Sequence, residues 1–366
     1  MGRFVLLPLL GLISIMTLSA APATVYISGS GSGVYRASFD PETGKLGQPQ
    51  LAADFGSASW IAPHPFLPIL YTSLREPGKD GIVSWTIEPS GDLTRQSEVL
   101  LEAGSPTHIA VHPEGTLVAT SHYGGGAGTL MALEADGSLK GPALVTPHTL
   151  DQPGPWPQQD QPRPHFVAFT ADGGKINQVD LGTDAIWTWD ISADPPAQTF
   201  SHKVTLPAGY GPRHLAVHPT WPYAYVSDEL GSKISVFRYD RSTAILDPIQ
   251  HLNSMDPEDV APGNNTSHIL IHPNGRFVYI GNRGDDSIGV FSIDPDTGMV
   301  AFVETEPVRG HWPRGFTIEP DGRWLIVAGQ YSDTVGVMEI DPDTGRLSFA
   351  TNNMINVPNP VCVVFR

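Results

Sequence analysis

His268-Ile-Leu-Ile-His-Pro-Asn-Gly-Arg-Phe-Val-Tyr-Ile-Gly-Asn-Arg-Gly284 reads as strand, tight turn, strand. Two apolar runs flank an Asn-Gly turn, which is hairpin chemistry. The pattern returns at Trp60-Ile-Ala-Pro-His-Pro, His108-Ile-Ala-Val-His-Pro and His214-Leu-Ala-Val-His-Pro. Weaker copies start at His165 (His-Phe-Val-Ala-Phe-Thr) and Gly315 (Gly-Phe-Thr-Ile-Glu-Pro), and Val361-Cys-Val-Val-Phe closes the chain. Successive starts lie 46 to 57 residues apart. Such a period marks a repeat architecture.

A second short run follows each hairpin: Ile82-Val-Ser-Trp, Leu130-Met-Ala-Leu, Ile186-Trp-Thr-Trp, Ile234-Ser-Val-Phe, Ile288-Gly-Val-Phe and Val335-Gly-Val-Met. Its first copy, Val34-Tyr-Arg-Ala-Ser-Phe, has no inner strand before it, while the Val361 run has nothing after it. The two halves complete one unit. The reading is all-β: a seven-bladed β-propeller of four-stranded blades (A to D, A innermost), the first blade completed by the C-terminal strand. A β-sandwich or β-helix leaves the split repeat unexplained, and a Trp-Asp pair ends strand C only at Trp189-Asp190.

Composition agrees. Gly and Pro make up a fifth of the 366 residues, far more than a helical enzyme uses. The net charge of −17 excludes a nucleic-acid partner, which needs a basic footprint. The lone Cys362 permits no internal disulfide and no Cys-rich zinc site. Arg3, the apolar run from Phe4 to Met16 and the small residues Ser19 to Ala23 read as a secretory signal over 1–21. That leaves 22–366 as one secreted propeller domain, expected to be a monomer with no membrane attachment once the signal is cleaved. Asn264 and Asn265 head overlapping glycosylation sequons.

Comparing repeats separates scaffold from site. The His-Pro pairs at 64, 112, 218 and 272 recur at one turn and read as structural. The Asp-Pro-Asp-Thr-Gly segments at 294 and 341 read as C–D turns, being too short for calcium loops. No helix follows the glycine clusters at 29–33 and 124–126, so they are not phosphate loops.

Counting 15 residues from each strand-A start gives Arg75, Tyr123, Asp180, Glu229, Arg283 and Gln330, all polar and chemically varied. Antiparallel pairing places the start of A and the end of B at one edge, so both sets converge on one mouth of the channel. His214, His268 and, just before strand A, Arg213 and Arg314 join them. Guanidiniums beside imidazole and carboxylate suit a small anionic substrate, bound through a carboxylate or phosphate, and acid–base chemistry upon it, or else form an internal Arg213–Glu229–Arg283 network. The Pro-rich insertion 147–164 is expected to wall the pocket, with Trp156 as an apolar contact.

Pro164-His165, Gly211-Pro212-Arg213-His214, Asp228-Glu229-Leu230, Asn282-Arg283-Gly284 and the opening stretch resemble the lactonase-family seven-bladed propellers. That family includes bacterial 6-phosphogluconolactonases and fungal carboxy-cis,cis-muconate lactonising enzymes. The resemblance implies His165, Arg213, Glu229 and Arg283 as the catalytic set, with no metal and no cofactor. It implies hydrolysis of a sugar or organic-acid lactone, with a muconate-type cycloisomerase or a non-catalytic binder of an anionic ligand as the alternatives. Arg75, Tyr123, Asp180, His214, His268, Arg314 and Gln330 are then expected to bind substrate.

Overall fold

Alternating apolar residues give each strand one face to bury, and four-stranded blades can bury both faces only by stacking around an axis. The computed structural model describes residues 23–366, apart from 32, 257, 259 and 260. The expected signal peptide, 1–21, lies outside the described residues.

Among the described residues the strands form seven antiparallel sheets. The fourth blade is typical: A Pro164–Phe169, B Lys175–Asp180, C Ala185–Ala193, D Pro196–Thr205. The other inner strands are Ile61–Pro63, His108–Val111, Pro212–Val217, Asn265–Ile271 and Pro313–Ile318. The C-terminal strand Pro360–Phe365 supplies the inner strand of the first blade by pairing with Ala23–Gly29, with Tyr26 opposite Val364 and Ile27 opposite Val363. The outer strand of that blade is split into Lys45–Leu46 and Gln50–Ala53.

Seven hydrophobic clusters lie one at each junction between neighbouring blades. The cluster of Val25, Ile27 and Phe39 with Trp324, Ile326 and Val337 seals the last blade to the first.

Two recurrent hydrogen bonds staple the junctions. The His-Pro imidazoles accept backbone N–H bonds at Nδ1 and reach a glycine carbonyl of the next blade through Nε2: His64 to Gly115, His112 to Gly173, His218 to Gly275, His272 to Gly322. Those glycines have φ between +70° and +82°, and a Cβ on Gly115 or Gly275 would strike the imidazole. Second, the hydroxyls of Tyr26, Tyr71, Tyr225 and Tyr279 donate to glycine carbonyls in the C–D turns of the next blade. In those turns Asp294 and Asp341 accept bonds from their own backbone and threonine neighbours, as turn caps do.

Candidate active site

A β-bulge at the start of strand A builds the site. Pro164 faces Asp180, yet Phe166 already faces Val179, so His165 is the extra residue. The same shift makes Arg213 the bulged residue between Pro212 and His214, and Arg314 that between Pro313 and Gly315. A bulge turns one side chain out of the pleat, and here it turns it to the mouth. Ser59 and Thr107 hold the equivalent places in the second and third blades, and all five side chains line one depression.

This register corrects the repeat alignment in the fourth blade by one residue. Phe166, not His165, is the counterpart of His108 and His214. The equivalent of Glu229 is then Leu181, and Asp180 matches Asp228 and Asn282 instead. Asp180 is therefore no substrate ligand. It is fully buried, accepts the backbone N–H groups of Arg163, Gly182 and Thr183, and pairs with His148 Nδ1 at 2.7 Å.

The main chamber holds about 320 Å³ and is lined by Arg75, Tyr123, His165, Glu229, Arg283 and Arg314 together with Ser59 and Thr107. Glu229 Oε2 lies 2.8 Å from Arg213 Nε and 2.9 Å from Arg283 Nη2, an ion-pair network of which Glu229 and Arg283 also line the chamber. Burial pushes the Glu229 carboxyl up, but Arg283 and Arg213 outweigh it and hold it below the usual carboxylate range. Burial, then the neighbouring Arg283, hold the Arg213 guanidinium well below its ordinary pKa, and Glu229 offsets them only in part. Arg283, Arg213 and Arg314 thus all act on a single carboxylate.

His165 is 6% exposed, and its Nδ1 has no hydrogen-bond partner among the described residues. Burial, then the charges of Arg213, Arg314 and Arg283, hold its pKa well below the ordinary imidazole value. It is neutral at pH 7. Tyr123 packs edge-on against it at 5.8 Å.

Beneath the mouth, Trp60, His108, Phe166, His214 and His268 pack ring against ring and plug the channel. His214 and His268 are floor residues rather than chamber walls. An arginine can only donate, so His214 Nε2 accepts from Arg213 Nη1 at 3.2 Å; His214 Nδ1–H then donates to His268 Nδ1 at 2.7 Å. Burial holds both imidazoles below their ordinary pKa, to about 3 for His268. Cys362, in the cluster between the first and second blades, is a buried thiol pushed up to about 12 by burial.

Other expectations shift outward. Gln330 stands behind Arg314, accepting from its Nη1 at 3.4 Å, and does not line the chamber. Trp156 turns away from the pocket and donates to the Gly209 carbonyl, while the end of its loop touches the wall through Arg163 over the Tyr123 ring. Asn264 is buried with its amide on Asn282, which leaves no room for a glycan, whereas Asn265 is nearer the surface. Trp312 was not legible in the sequence. Its φ of +66° is unusual for a bulky residue, and the ring lies under Arg283 at 5.4 Å.

No cluster of His, Cys, Asp and Glu able to hold a metal occurs among the described residues, and none of their helices is long and apolar enough to cross a membrane.

Known proteins carry the same architecture. The chain is 34% identical over 292 residues to a 6-phosphogluconolactonase of Bacillus subtilis, covering 80% of this chain and 82% of that one. A 6-phosphogluconolactonase of Yersinia pestis is 32% identical, covering 65% and 67%. Among solved structures, a periplasmic gluconolactonase of Pseudomonas aeruginosa superposes with a TM-score of 0.85 at 26% identity, covering 94% of this chain and 99% of that one. A Lactobacillus plantarum protein superposes at 0.87, also at 26% identity and with the same coverage. The family model for the seven-bladed β-propeller lactonases matches residues 21–365, nearly the whole chain, and the protein belongs to that family.

Proposed function

We propose that the protein hydrolyses a sugar or organic-acid lactone, in the manner of the 6-phosphogluconolactonases it is similar to. The observation that carries this reading is a neutral, buried imidazole facing a chamber ringed by guanidiniums. His165 takes a proton from water as the water oxygen attacks the lactone carbonyl. The negative charge that forms on the carbonyl oxygen is met by Arg283 and Arg314. Such donors are worth about 3–4 kcal/mol to the transition state. When the oxyanion collapses, the ring C–O bond breaks and the proton passes from His165 to the departing alkoxide, which leaves a hydroxy acid. Glu229 holds Arg213 and Arg283 in place rather than touching the carbonyl.

The chain is also proposed to be exported, on its N-terminal pattern and its likeness to a periplasmic gluconolactonase, with any glycan at Asn265. Acid release in a pH-stat, with aldonolactones as substrates, tests the activity. Replacing His165 by Ala should lower turnover about 10²–10⁴-fold. A folded variant with wild-type turnover removes His165 from the chemistry.

A further inference from the structure

In three blades the bulged residue follows a backbone N–H that an aspartate of the preceding blade holds. Two residues before Arg213, the Gly211 N–H donates to Asp184 Oδ1 at 2.7 Å. Two before Arg314, the Trp312 N–H donates to Asp286 Oδ1 at 2.8 Å. Two before Val361, the bulged residue of the first blade, the Asn359 N–H donates to Asp333 Oδ1 at 2.8 Å. The three aspartates occupy one place, immediately before strand C, with φ between +49° and +57°. Aspartate is among the few residues that accept this left-handed backbone, and its short carboxylate reaches across the junction.

The fourth blade, which carries His165, departs from this device. The matching turn residue of the third blade is Gly126, at φ +61°, and it has no side chain to offer. The Arg163 N–H, two residues before His165, donates instead to Asp180 Oδ1 at 2.7 Å, from strand B of its own blade. The same oxygen accepts the N–H groups of Gly182 at 2.9 Å and Thr183 at 3.2 Å. His148 Nδ1 donates to Asp180 Oδ2 at 2.7 Å, and its Nε2 meets Gln178 Oε1 at 2.9 Å. Both side chains of the pair are wholly buried, with the imidazole against the Trp187 ring. A Cβ on Gly182 would strike the Gln161 carbonyl, so the segment leading to His165 sits directly on this turn. A buried carboxylate bonded at both oxygens has one orientation, and it passes that orientation to the backbone it binds.

We infer that Asp180 is the positioning residue of His165. By accepting the Arg163, Gly182 and Thr183 N–H groups it fixes the bulge through which the imidazole enters the chamber, and it acts on the reaction only through that imidazole. A bulge re-aims a side chain, and a misplacement of about 1 Å in a reacting group costs about 10²-fold in rate.

Because this rests on the lactonase reading, it is tested by rate and by structure. Hydrolysis of glucono-1,5-lactone is measured per folded molecule, after subtraction of the rate without protein. Asp180→Ala and Asp180→Asn are each made alone and on top of His165→Ala. Asp180→Ala should lower kcat about 10–10²-fold with KM unchanged, and should add no further loss to His165→Ala. Asp180→Asn keeps an oxygen for the three N–H groups and should restore most of the wild-type kcat. Wild-type kcat in Asp180→Ala, the same loss repeated on top of His165→Ala, or an Asn variant as slow as the Ala variant overturns the assignment and leaves the hydrolase reading standing. Should Asp180→Ala fail to melt cooperatively, Asp180→Ser, whose hydroxyl stops one bond short of the carboxylate oxygens, is read by the same criteria. If no lactone is hydrolysed, the hydrolase reading fails, and a crystal structure of the folded Ala or Ser variant decides the placement. His165 turned out of the chamber upholds it, and His165 unmoved overturns it.

Discussion

His165 and Asp180 show what one residue of register does. Asp180 is reached by counting from His165 as the start of the inner strand of the fourth blade, where Thr170-Ala171-Asp172 replaces the His-Pro of its neighbours and only the initial histidine matches theirs. A slip of one exchanges faces along a strand. It sends Asp180 into the wall, whereas His165 reaches the mouth because a bulge turns it there. Arg213 and Arg314 were legible as residues just before strand A, but their shared bulge was not, nor were Ser59 and Thr107 at the same place. The left-handed backbone of Trp312 depends on contacts far along the chain, such as its N–H bond to Asp286, and no local pattern announces it. The charge around His165 has a measurable consequence. The base must be unprotonated, and its pKa in the free protein lies below the usual imidazole value, so activity should survive acidification past the ordinary histidine range. The pH profile of kcat/KM should still be flat at about pH 6.5. A half-maximal point there would show a histidine with an ordinary pKa in control.

At the scale of strands and turns, the repeat was legible because its punctuation is chemical: His-Pro at the A–B turn, Asp and Gly at the C–D turn. What could not be read was the partner of each histidine, since the accepting glycine is 50 to 61 residues away in the next blade. These bonds lie at the end of strand A opposite the mouth, so their loss should touch stability and spare chemistry. His218→Ala removes an inter-blade bond at 2.8 Å and leaves the Thr220 and Trp221 N–H groups without their acceptor. A loss of about 1–3 kcal/mol is expected in urea unfolding, with kcat/KM unchanged. Unchanged stability would mean that the staple holds nothing. The 147–164 insertion behaves similarly: Gln159 is fully buried and donates to the Leu181 carbonyl, so the loop braces the fourth blade more than it walls the pocket.

For the whole molecule, closure of the ring is the decisive event. Seven blades bury their faces only in series, and the junction between the last and first depends on six C-terminal residues, Pro360–Phe365. Val361, Cys362 and Val363 are nearly fully buried. At about 1.5–3 kcal/mol for each fully buried side chain, deleting residues 360–366 removes much of the roughly 5–15 kcal/mol that holds a protein folded. The truncated chain should therefore lose cooperative thermal unfolding altogether, and a truncated chain that melts as the full one does would deny the closure its role.

Closure also brings Arg314 of the seventh blade to one mouth with Arg283 of the sixth and His165 of the fourth, and the proposed chemistry needs all three at once. Hydrolysis and cyclisation could both use this mouth, but only hydrolysis consumes water. Turnover of an accepted lactone in ¹⁸O-water, with the product acid weighed by mass spectrometry, distinguishes them. Hydrolysis places one ¹⁸O atom in the carboxylate of every product molecule formed by the protein, and the His165→Ala protein should form such product about 10²–10⁴-fold more slowly. Product formed by the protein without the label, or labelled product formed as fast without His165, contradicts the assignment.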